Sequence, residues 1–300
     1  MRLHGYCHQI YYEVGDLMRI GFIGAGKVGF SLGRFMKEGG VQVTGYYNRH
    51  REGAIEAAEF TGSICYDNLE ELVQSSDAIF LTVPDNKIAE VYESIRRLDI
   101  RNKMICHCSG AMSAREAFPI IEEHGAAGYS IHPLFPVSDK LTSYRELGGA
   151  FFCIEGTGEL DTWSEMLESL GARVQVISGD VKSKYHAACA ISSNLVCGLV
   201  DMSIRLLEDS GFTEEAAREA LKPLAMSNMS HLLKDGPISA LTGPVERGDA
   251  ETVSKHIEAI EDENDRNLYI AVSKAVLEIA RKKNPGRDYE QTTKILAKEK

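Results

Sequence analysis

Residues 19–29 read RIGFIGAGKVG and combine a short apolar run with three glycines in the spacing G-x-G-x-x-G. The apolar run predicts a buried strand, and the amphipathic residues after the glycines predict a helix. The glycines at this strand–turn–helix junction are Gly24, Gly26 and Gly29. The first permits the tight turn, the second lets a pyrophosphate approach the backbone, and the third allows the helix to pack closely on the strand.

A phosphate site is expected where this helix begins, because its first N–H groups lack partners within the helix and carry the positive end of its dipole. The residues predicted to bind a dinucleotide are Gly24, Ala25, Gly26, Lys27, Val28 and Gly29. The alternative is a glycine-rich turn that binds no ligand. The dinucleotide prediction is favoured because a second strand pattern, at residues 41–47, follows at the expected distance.

The end of the second predicted strand distinguishes NAD from NADP. Enzymes that use NAD usually carry Asp or Glu about 20 residues after the glycines, where the carboxylate holds the ribose 2′-hydroxyl. This chain instead has Asn48, Arg49, His50 and Arg51. Since a guanidinium binds phosphate through two parallel hydrogen bonds, Asn48, Arg49 and Arg51 are predicted to hold the 2′-phosphate of NADP. The alternative is a pair of solvated charges in a loop.

Strand and helix patterns alternate as far as residue 178, which predicts an α/β fold with a Rossmann-type, doubly wound parallel sheet. Ligands of such sheets bind beyond the carboxyl ends of the strands. We expect the nicotinamide cofactor to be bound near predicted strand ends by Val83, Pro84, Ser109 and Gly110, whereas His132, near another strand end, is expected to face the substrate. In addition, Asp85 is expected to cap a helix that begins at residue 86.

The chain is predicted to have three parts. Residues 1–17 match no element, lack the apolar core of a signal peptide and precede a natural start at Met18, so they are treated as an N-terminal extension. Residues 18–178 form the NADP-binding Rossmann domain. Strand patterns stop after residue 178, so residues 179–300 form an all-helical domain for substrate binding or dimerisation.

One long helix is predicted over residues 181–208, and it is apolar almost all round. Such a helix should be buried by its own domain or by a second subunit, so a homodimer is expected. On an ideal helix Lys182, His186 and Ser193 share one face and Asn194 lies beside it. These groups can give a proton to a developing alkoxide and hold a carboxylate. The alternative is a first-turn cation and a core histidine.

Composition limits the partners. The chain has 44 acidic and 33 basic residues, a net charge of −11, which argues against nucleic acid. Cys106 and Cys108 would point away from His107 along a strand, and no second pair has zinc-site spacing, so no metal is expected. Residues 187–200 are too short and too polar to span a bilayer. A cytoplasmic protein without a membrane partner is therefore expected.

Several short motifs carry a resemblance to known families. They are HCSG at 107–110, HPLFP at 132–136, KSKYHAA at 182–188, SN at 193–194 and ALTGPVERGD at 240–249. Residues 19–110 resemble the Rossmann domain of coenzyme-F420-dependent NADP oxidoreductases, which pyrroline-carboxylate reductases and hydroxyacid dehydrogenases share. From Met18 onward the chain resembles a narrower family that adds a helical domain of unknown function, similar to the C-terminal domain of 6-phosphogluconate dehydrogenase.

The resemblance implies an NADPH-dependent oxidoreductase that reduces the carbonyl of a small 2-oxo acid, since the narrower family includes an alternative ketopantoate reductase. In the hydroxyacid dehydrogenase pattern a lysine early in the interdomain helix acts as the general acid, and an asparagine follows about one turn later. Lys182 matches that lysine, but His186 replaces the asparagine and Asn194 lies about three turns on. The acid is therefore Lys182 or His186, while Asn194, Ser193 and His132 are expected to orient the substrate carboxylate.

Two other functions fit the same residues. One is the reduction of a cyclic imine, as in pyrroline-carboxylate reductases, which needs less help from an acid. The other is a protein that binds NADP as a sensor or scaffold and has no turnover. The fold does not distinguish these functions, because function depends on the site.

Overall fold

The structure, a computed structural model, describes residues 18–297, and the predicted extension over residues 1–17 lies outside them. The described strands are β1 Arg19–Ile23, β2 Gln42–Tyr47, β3 Ile64–Cys65, β4 Ala78–Leu81, β5 Met104–His107, β6 Ala127–Pro133, β7 Phe151–Gly156 and β8 Arg173–Val176. They form one sheet in the order β3–β2–β1–β4–β5–β6–β7–β8. The order reverses at β1 and β4, which is the arrangement of a Rossmann-type sheet.

Neighbouring strands run parallel except for β6 and β7, which are antiparallel. The predicted doubly wound α/β sheet is confirmed, and the reversal at β7 is a difference from a fully parallel sheet. A parallel pair needs a crossover, usually a helix, whereas an antiparallel pair does not. Residues 134–150 connect β6 to β7 and contain only a 3-10 turn, Ser143–Gly149.

Helices cover both faces of the sheet. They are α1 Lys27–Glu38, α2 Arg51–Thr61, α3 Leu69–Ser75, α4 Asp85–Ile95, α5 Ala114–Ala117 and α6 Asp161–Ser169. All four residues of β4 are buried, as expected for a strand covered on both sides. Side chains alternate along this strand, so Phe80 enters the core that contains Trp163, whereas Ile79 and Leu81 enter the second core.

The first turns of two helices test the sequence prediction. Asn68 caps α3 as its sequence suggests, since its Oδ1 accepts a hydrogen bond from the Glu71 N–H at 2.9 Å. The prediction that Asp85 caps the next helix is wrong. Pro84 occupies the N-cap position and Asp85 is the first residue of α4. Its carboxylate accepts a hydrogen bond from Ser109 Oγ at 2.6 Å, which ties the end of β4 to the end of β5.

The rest of the described chain is helical. The helices are α7 Lys182–Ser192, α8 Asn194–Asp209, α9 Glu214–Asp235, α10 Pro237–Ala240, α11 Pro244–Arg247, α12 Ala250–Ala259, α13 Glu263–Lys283 and α14 Glu290–Ala297. The chain divides into two compact units, and the boundary lies between Ile191 and Ser192. The second unit has its own hydrophobic core, which includes Val253 and Leu277. The predicted domain limit after residue 178 stays a prediction.

The prediction of a single long helix over residues 181–208 is wrong, because a break at Ser193 separates α7 from α8. Ser193 has φ −128° and ψ −79°, outside the helical region. Serine and asparagine side chains compete with helical backbone bonds, and here Ser193 Oγ donates to Asn194 Oδ1 at 3.1 Å. The ideal-helix argument that put Ser193 on the face of His186 therefore does not apply.

By length and composition, Gly179–Asp209 is apolar enough to cross a membrane, with a mean hydropathy of 1.5. One such segment among the described residues is weak evidence, since a helix covered by other protein meets the same criteria. Only 6% of its most apolar window is buried.

Candidate functional site

The three glycines of the loop after β1 have different surroundings. Gly24 is buried at φ +108°, and a Cβ there would lie 2.6 Å from the carbonyl oxygen of Thr82. A Cβ on Gly29 would lie 2.6 Å from Thr82 Oγ1. Gly26 is exposed, and the nearest atom to its Cβ would be 3.9 Å away. Packing within the protein therefore explains Gly24 and Gly29 but not Gly26, which keeps the backbone open to a ligand.

The beginning of α1 has the features of a pyrophosphate site. Gly26 is the N-cap residue and supplies no side-chain cap, and Lys27 and Val28 open the first turn. The loop is held in place because Thr82 Oγ1 donates a hydrogen bond to the Gly24 carbonyl at 2.8 Å. Together with the open backbone at Gly26, this geometry fits a dinucleotide.

The two arginines after β2 have different partners. Arg51 forms an ion pair with Asp67, with Nε and Oδ1 2.7 Å apart. Arg49 is exposed and forms no ion pair within residues 18–297. Asn48 Nδ2 donates to the His50 carbonyl at 2.9 Å and shapes the loop. Arg49 is thus the arginine better placed to bind a 2′-phosphate, because Arg51 would have to leave its carboxylate.

We expect Arg49→Gln to lower the affinity for NADPH about thirtyfold and to leave the affinity for NADH unchanged, since it removes a charge-assisted contact to the phosphate. Arg51→Gln serves as the matched control and should have a smaller effect. Titration of both cofactors by nicotinamide fluorescence measures this. Equal losses for NADPH and NADH would contradict a role in 2′-phosphate binding.

Lys182 is buried at the carboxyl ends of β5 and β6, with 1% of its surface exposed. Its ammonium group donates to the Ser109 carbonyl at 3.0 Å and to Ser130 Oγ at 2.6 Å. Burial lowers the pKa of Lys182, and the carboxylate of Glu155 opposes that shift. The first residue of α7 therefore links the loop after β5 to the middle of β6.

Two imidazoles meet over Gly110, just beyond β5. A Cβ on Gly110 would lie 2.9 Å from His132 Nε2 and 2.5 Å from His186 Cδ2, so only glycine leaves room for both rings. The ring centroids are 6.3 Å apart, and both side chains are partly exposed. Burial lowers the pKa of His132 to about 4, and the charge of Lys182 adds to the shift. His132 is therefore neutral near pH 7.

The structure brings together five of the predicted residues, namely Ser109, Gly110, His132, Lys182 and His186. Val83 and Pro84 lie between β4 and α4, where Val83 packs against the second core. Ser193 and Asn194 belong to the second unit and are exposed, so their role toward a substrate stays a prediction.

The sequence did not predict the part that Ser130 and Tyr185 have in this cluster. It also did not predict that Asp85 accepts a hydrogen bond from Ser109. Tyr185 follows Lys182 by three positions on α7, a spacing that places side chains side by side on a helix. That spacing was the available signal. Nothing local marks Ser130, which lies within β6 and meets Lys182 only in the folded chain.

His107 stands between two cysteines, and no group of three potential metal ligands occurs among the described residues. It is fully buried, its Nδ1 accepts the Ser109 N–H at 3.1 Å, and its ring packs edge-on against Phe118. Burial lowers the pKa of His107 to about 3, helped by the charge of Lys182. The neutral ring thus shapes the loop that carries Ser109.

This shift predicts a loss of stability in acid. The unfolded chain binds a proton at His107 below pH 6.5 and the folded chain binds it only near pH 3, so stability falls as the pH drops through that range. At pH 5 the loss from this residue is about 2 kcal/mol. In His107→Asn the amide oxygen can still accept the Ser109 N–H. We expect the free energy of unfolding of this variant to fall by about 2 kcal/mol less than that of the wild type at pH 5.

Urea unfolding at pH 7.5 and at pH 5 measures the difference for the wild type and for His107→Asn. The variant His231→Asn, an exposed position on α9, serves as the control for losing a histidine. An equal pH-dependent loss in the wild type and in His107→Asn would contradict the prediction.

Two family models match the chain. Residues 19–109 match the family described as NADP oxidoreductase, coenzyme F420-dependent, and residues 150–276 match a domain of unknown function, DUF2520. A search of curated proteins found no match. The family matches agree with the predicted resemblance, and the first of them confirms NADP as the cofactor and the oxidoreductase class.

Solved structures share the fold over most of the chain. Protein TM1727 from Thermotoga maritima is 26% identical, with a TM-score of 0.69 over 88% of this chain and 99% of that one. A reductive aminase from Aspergillus terreus, in complex with NADPH and ethyl-5-oxohexanoate, is 15% identical, with a TM-score of 0.64 over 93% and 99%. A pyrroline-5-carboxylate reductase from Coxiella burnetii is 17% identical, with a TM-score of 0.58 over 89% and 98%.

Proposed function

We infer that this chain, which joins a domain of the coenzyme-F420-dependent NADP oxidoreductase family to a DUF2520 domain, uses NADPH to reduce a C=N or C=O bond of a small molecule. The observation that carries the proposal is the meeting of His132, His186 and Lys182 around Gly110. This cluster lies at the carboxyl edge of the sheet, the same edge as the glycine loop, which is where such folds bind their ligands.

When bound, NADPH supplies the hydride for the carbon of the double bond. The glycine loop and Arg49 orient the dinucleotide, and the cluster around Gly110 orients the substrate. The proton for the substrate heteroatom is better assigned to His186 than to Lys182. Lys182 is buried and already donates two hydrogen bonds, whereas the ring of His186 reaches the open side of Gly110.

Two substrate classes remain as candidates. Reduction of a C=N bond is supported by the shared fold with a reductive aminase and a pyrroline-5-carboxylate reductase. Reduction of a 2-oxo acid such as ketopantoate is supported by the cluster itself, because a developing alkoxide needs a proton donor and His186 offers one.

The test begins with titration of the purified protein by NADPH and NADH, followed by nicotinamide fluorescence. Oxidation of NADPH is then followed after addition of a cyclic imine or of ketopantoate. Turnover of either compound supports the proposal and selects the substrate class. Binding without turnover of any imine or oxo acid would favour an NADP sensor or scaffold instead.

The roles within the cluster are tested by substitution. We expect His186→Ala to lower kcat more than Lys182→Met does, provided that both variants bind NADPH like the wild type. Full turnover in both variants would contradict the proposed cluster.

We also propose that the protein is a cytoplasmic homodimer whose second copy covers the exposed apolar side chains of the second unit. Large apolar side chains are exposed along α8 and α9, among them Leu195 at 61%, Leu224 at 69% and Leu233 at 81%. A set of this size is unusual on the surface of a soluble monomer. Light scattering at micromolar concentration should give twice the chain mass. A monomer, or sedimentation with lipid vesicles, would contradict the dimer.

A further inference from the structure

His132 and Tyr185 form a close pair on the inner side of the candidate site. His132 Nδ1 and the Tyr185 hydroxyl are 2.6 Å apart, and the two rings meet edge to face with centroids 5.7 Å apart. The Lys182 ammonium lies 5.5 Å from the centre of the Tyr185 ring, close enough for a cation–π contact. Tyr185 is thus held between the buried lysine and the histidine.

The length of this hydrogen bond indicates which group donates. Bonds donated by N–H groups are usually about 2.7–3.2 Å long, whereas bonds donated by O–H groups extend down to about 2.5 Å. The Tyr185–His132 distance falls in the range of an O–H donor. A phenol oxygen is also a weak acceptor, because its lone pair is shared with the ring. The Tyr185 hydroxyl is therefore assigned as the donor of this hydrogen bond and Nδ1 of His132 as its acceptor.

The state of both groups agrees with this direction. Burial raises the pKa of Tyr185, so the phenol keeps its proton at neutral pH. Burial lowers the pKa of His132 to about 4, so the imidazole carries a single ring proton. With Nδ1 acting as the acceptor, that proton must be on Nε2.

The second nitrogen of His132 points to the candidate substrate site. Nε2 is the atom that a Cβ on Gly110 would approach to 2.9 Å, and within residues 18–297 it forms no hydrogen bond. The ring of His186 lies on the other side of the same glycine. An N–H group at this position therefore faces the space over the end of β5.

We infer that Tyr185 is a positioning residue that fixes His132 in the tautomer with the proton on Nε2, so that this N–H donates a hydrogen bond to the substrate heteroatom. The inference rests on the proposed reductase function and names the group that polarises the double bond. A neutral N–H donor stabilises negative charge that develops on the heteroatom as the hydride arrives. His186 remains the proton source, and His132 stays neutral throughout.

This role restricts the substrate. A hydrogen-bond donor at His132 needs an acceptor lone pair, which a carbonyl oxygen or a neutral imine nitrogen has and a protonated iminium lacks. The site therefore suits a ketone or an unprotonated imine. We expect the KM for an imine to fall as the pH rises and the substrate loses its proton.

The tautomer is tested directly by ¹⁵N NMR of the protein labelled at histidine, at pH 7. The wild type should show an unprotonated Nδ1 and a protonated Nε2 for His132, assigned by comparison with His132→Gln. Tyr185→Phe should shift the signals toward a mixture of the two tautomers. A proton on Nδ1 in the wild type would overturn the inference, whether or not the protein has activity on the substrates tried.

Kinetics test the consequence for the reaction. Tyr185→Phe should lower kcat about tenfold with little change in KM. Without the tyrosine, His132 no longer always presents an N–H to the substrate, and that hydrogen bond stabilises mainly the transition state. The matched control is Tyr144→Phe. Among the described residues, the hydroxyl of Tyr144 accepts a hydrogen bond only from the exposed Arg145. His132→Gln, whose amide N–H can occupy the place of Nε2–H, should keep more activity than His132→Asn.

Equal kcat values for Tyr185→Phe and Tyr144→Phe would overturn the positioning role. If the wild type reduces no imine or oxo acid, the proposed function fails, while the NMR spectra still decide the tautomer. The two failures are therefore distinguishable.

Discussion

Replacing Gly26 with alanine is expected to weaken NADPH binding about a hundredfold, which corresponds to about 2.7 kcal/mol of binding free energy. The new methyl group would occupy the space that a pyrophosphate needs against the backbone. Stability should change little, because the nearest protein atom would be 3.9 Å from the added Cβ and the backbone, at φ −86°, suits alanine. The expected decrease in the free energy of unfolding is about 1 kcal/mol at most, from the weaker N-cap.

Gly24→Ala provides the contrast. Its Cβ would lie 2.6 Å from a backbone oxygen, at φ +108°, so the fold itself is expected to lose about 3 kcal/mol. Fluorescence titration with NADPH and urea unfolding separate the two effects. Wild-type affinity in Gly26→Ala would contradict the assignment of this loop as the pyrophosphate site.

Gly110→Ala is expected to lower kcat about a hundredfold, because a small displacement of reacting groups has an effect of that size. The added Cβ would collide with both imidazoles, at 2.5 Å from His186 and 2.9 Å from His132. Each collision is with the end of a side chain, which can move away, so the fold should persist. NADPH affinity should stay within about twofold of the wild type, since the loop that binds the pyrophosphate is untouched.

The matched control is Gly149→Ala, at a glycine whose Cβ would meet no atom within 4 Å. Steady-state kinetics of the two variants, with NADPH binding measured alongside, give the comparison. A larger loss of NADPH affinity than of kcat in Gly110→Ala would mean that Gly110 serves the cofactor, as the sequence first suggested, more than the substrate.

The features that sequence predicted well are encoded within a few neighbouring residues. The glycine loop, the buried strand β4 and the Asn68 cap each depend on local spacing or on alternating burial. A Rossmann-type sheet follows from the repetition of such local signals, because parallel strands need a crossover and the alternating helices supply it.

The features that sequence missed arise from contacts between distant residues. Lys182 meets Ser130 across 52 positions and Ser109 across 73, and no periodicity within either segment encodes those contacts. The helix break at Ser193 was missed for a different reason. The apolar pattern continues through it, while the local competition of serine and asparagine for hydrogen bonds decides the backbone.

The reversal of β7 affects how this fold can diversify. Because β7 runs against β6, residues 134–150 begin and end at the carboxyl edge of the sheet, beside His132. Lys140 in this connection pairs with Glu56 and lies over the ring of Phe30, so the segment also touches the helices of the dinucleotide half. An insertion here would reshape the surroundings of the substrate without any crossover helix having to be repacked. Among descendants of one ancestral gene, new substrate preferences could thus accumulate in this connection while the nucleotide-binding strands were inherited intact.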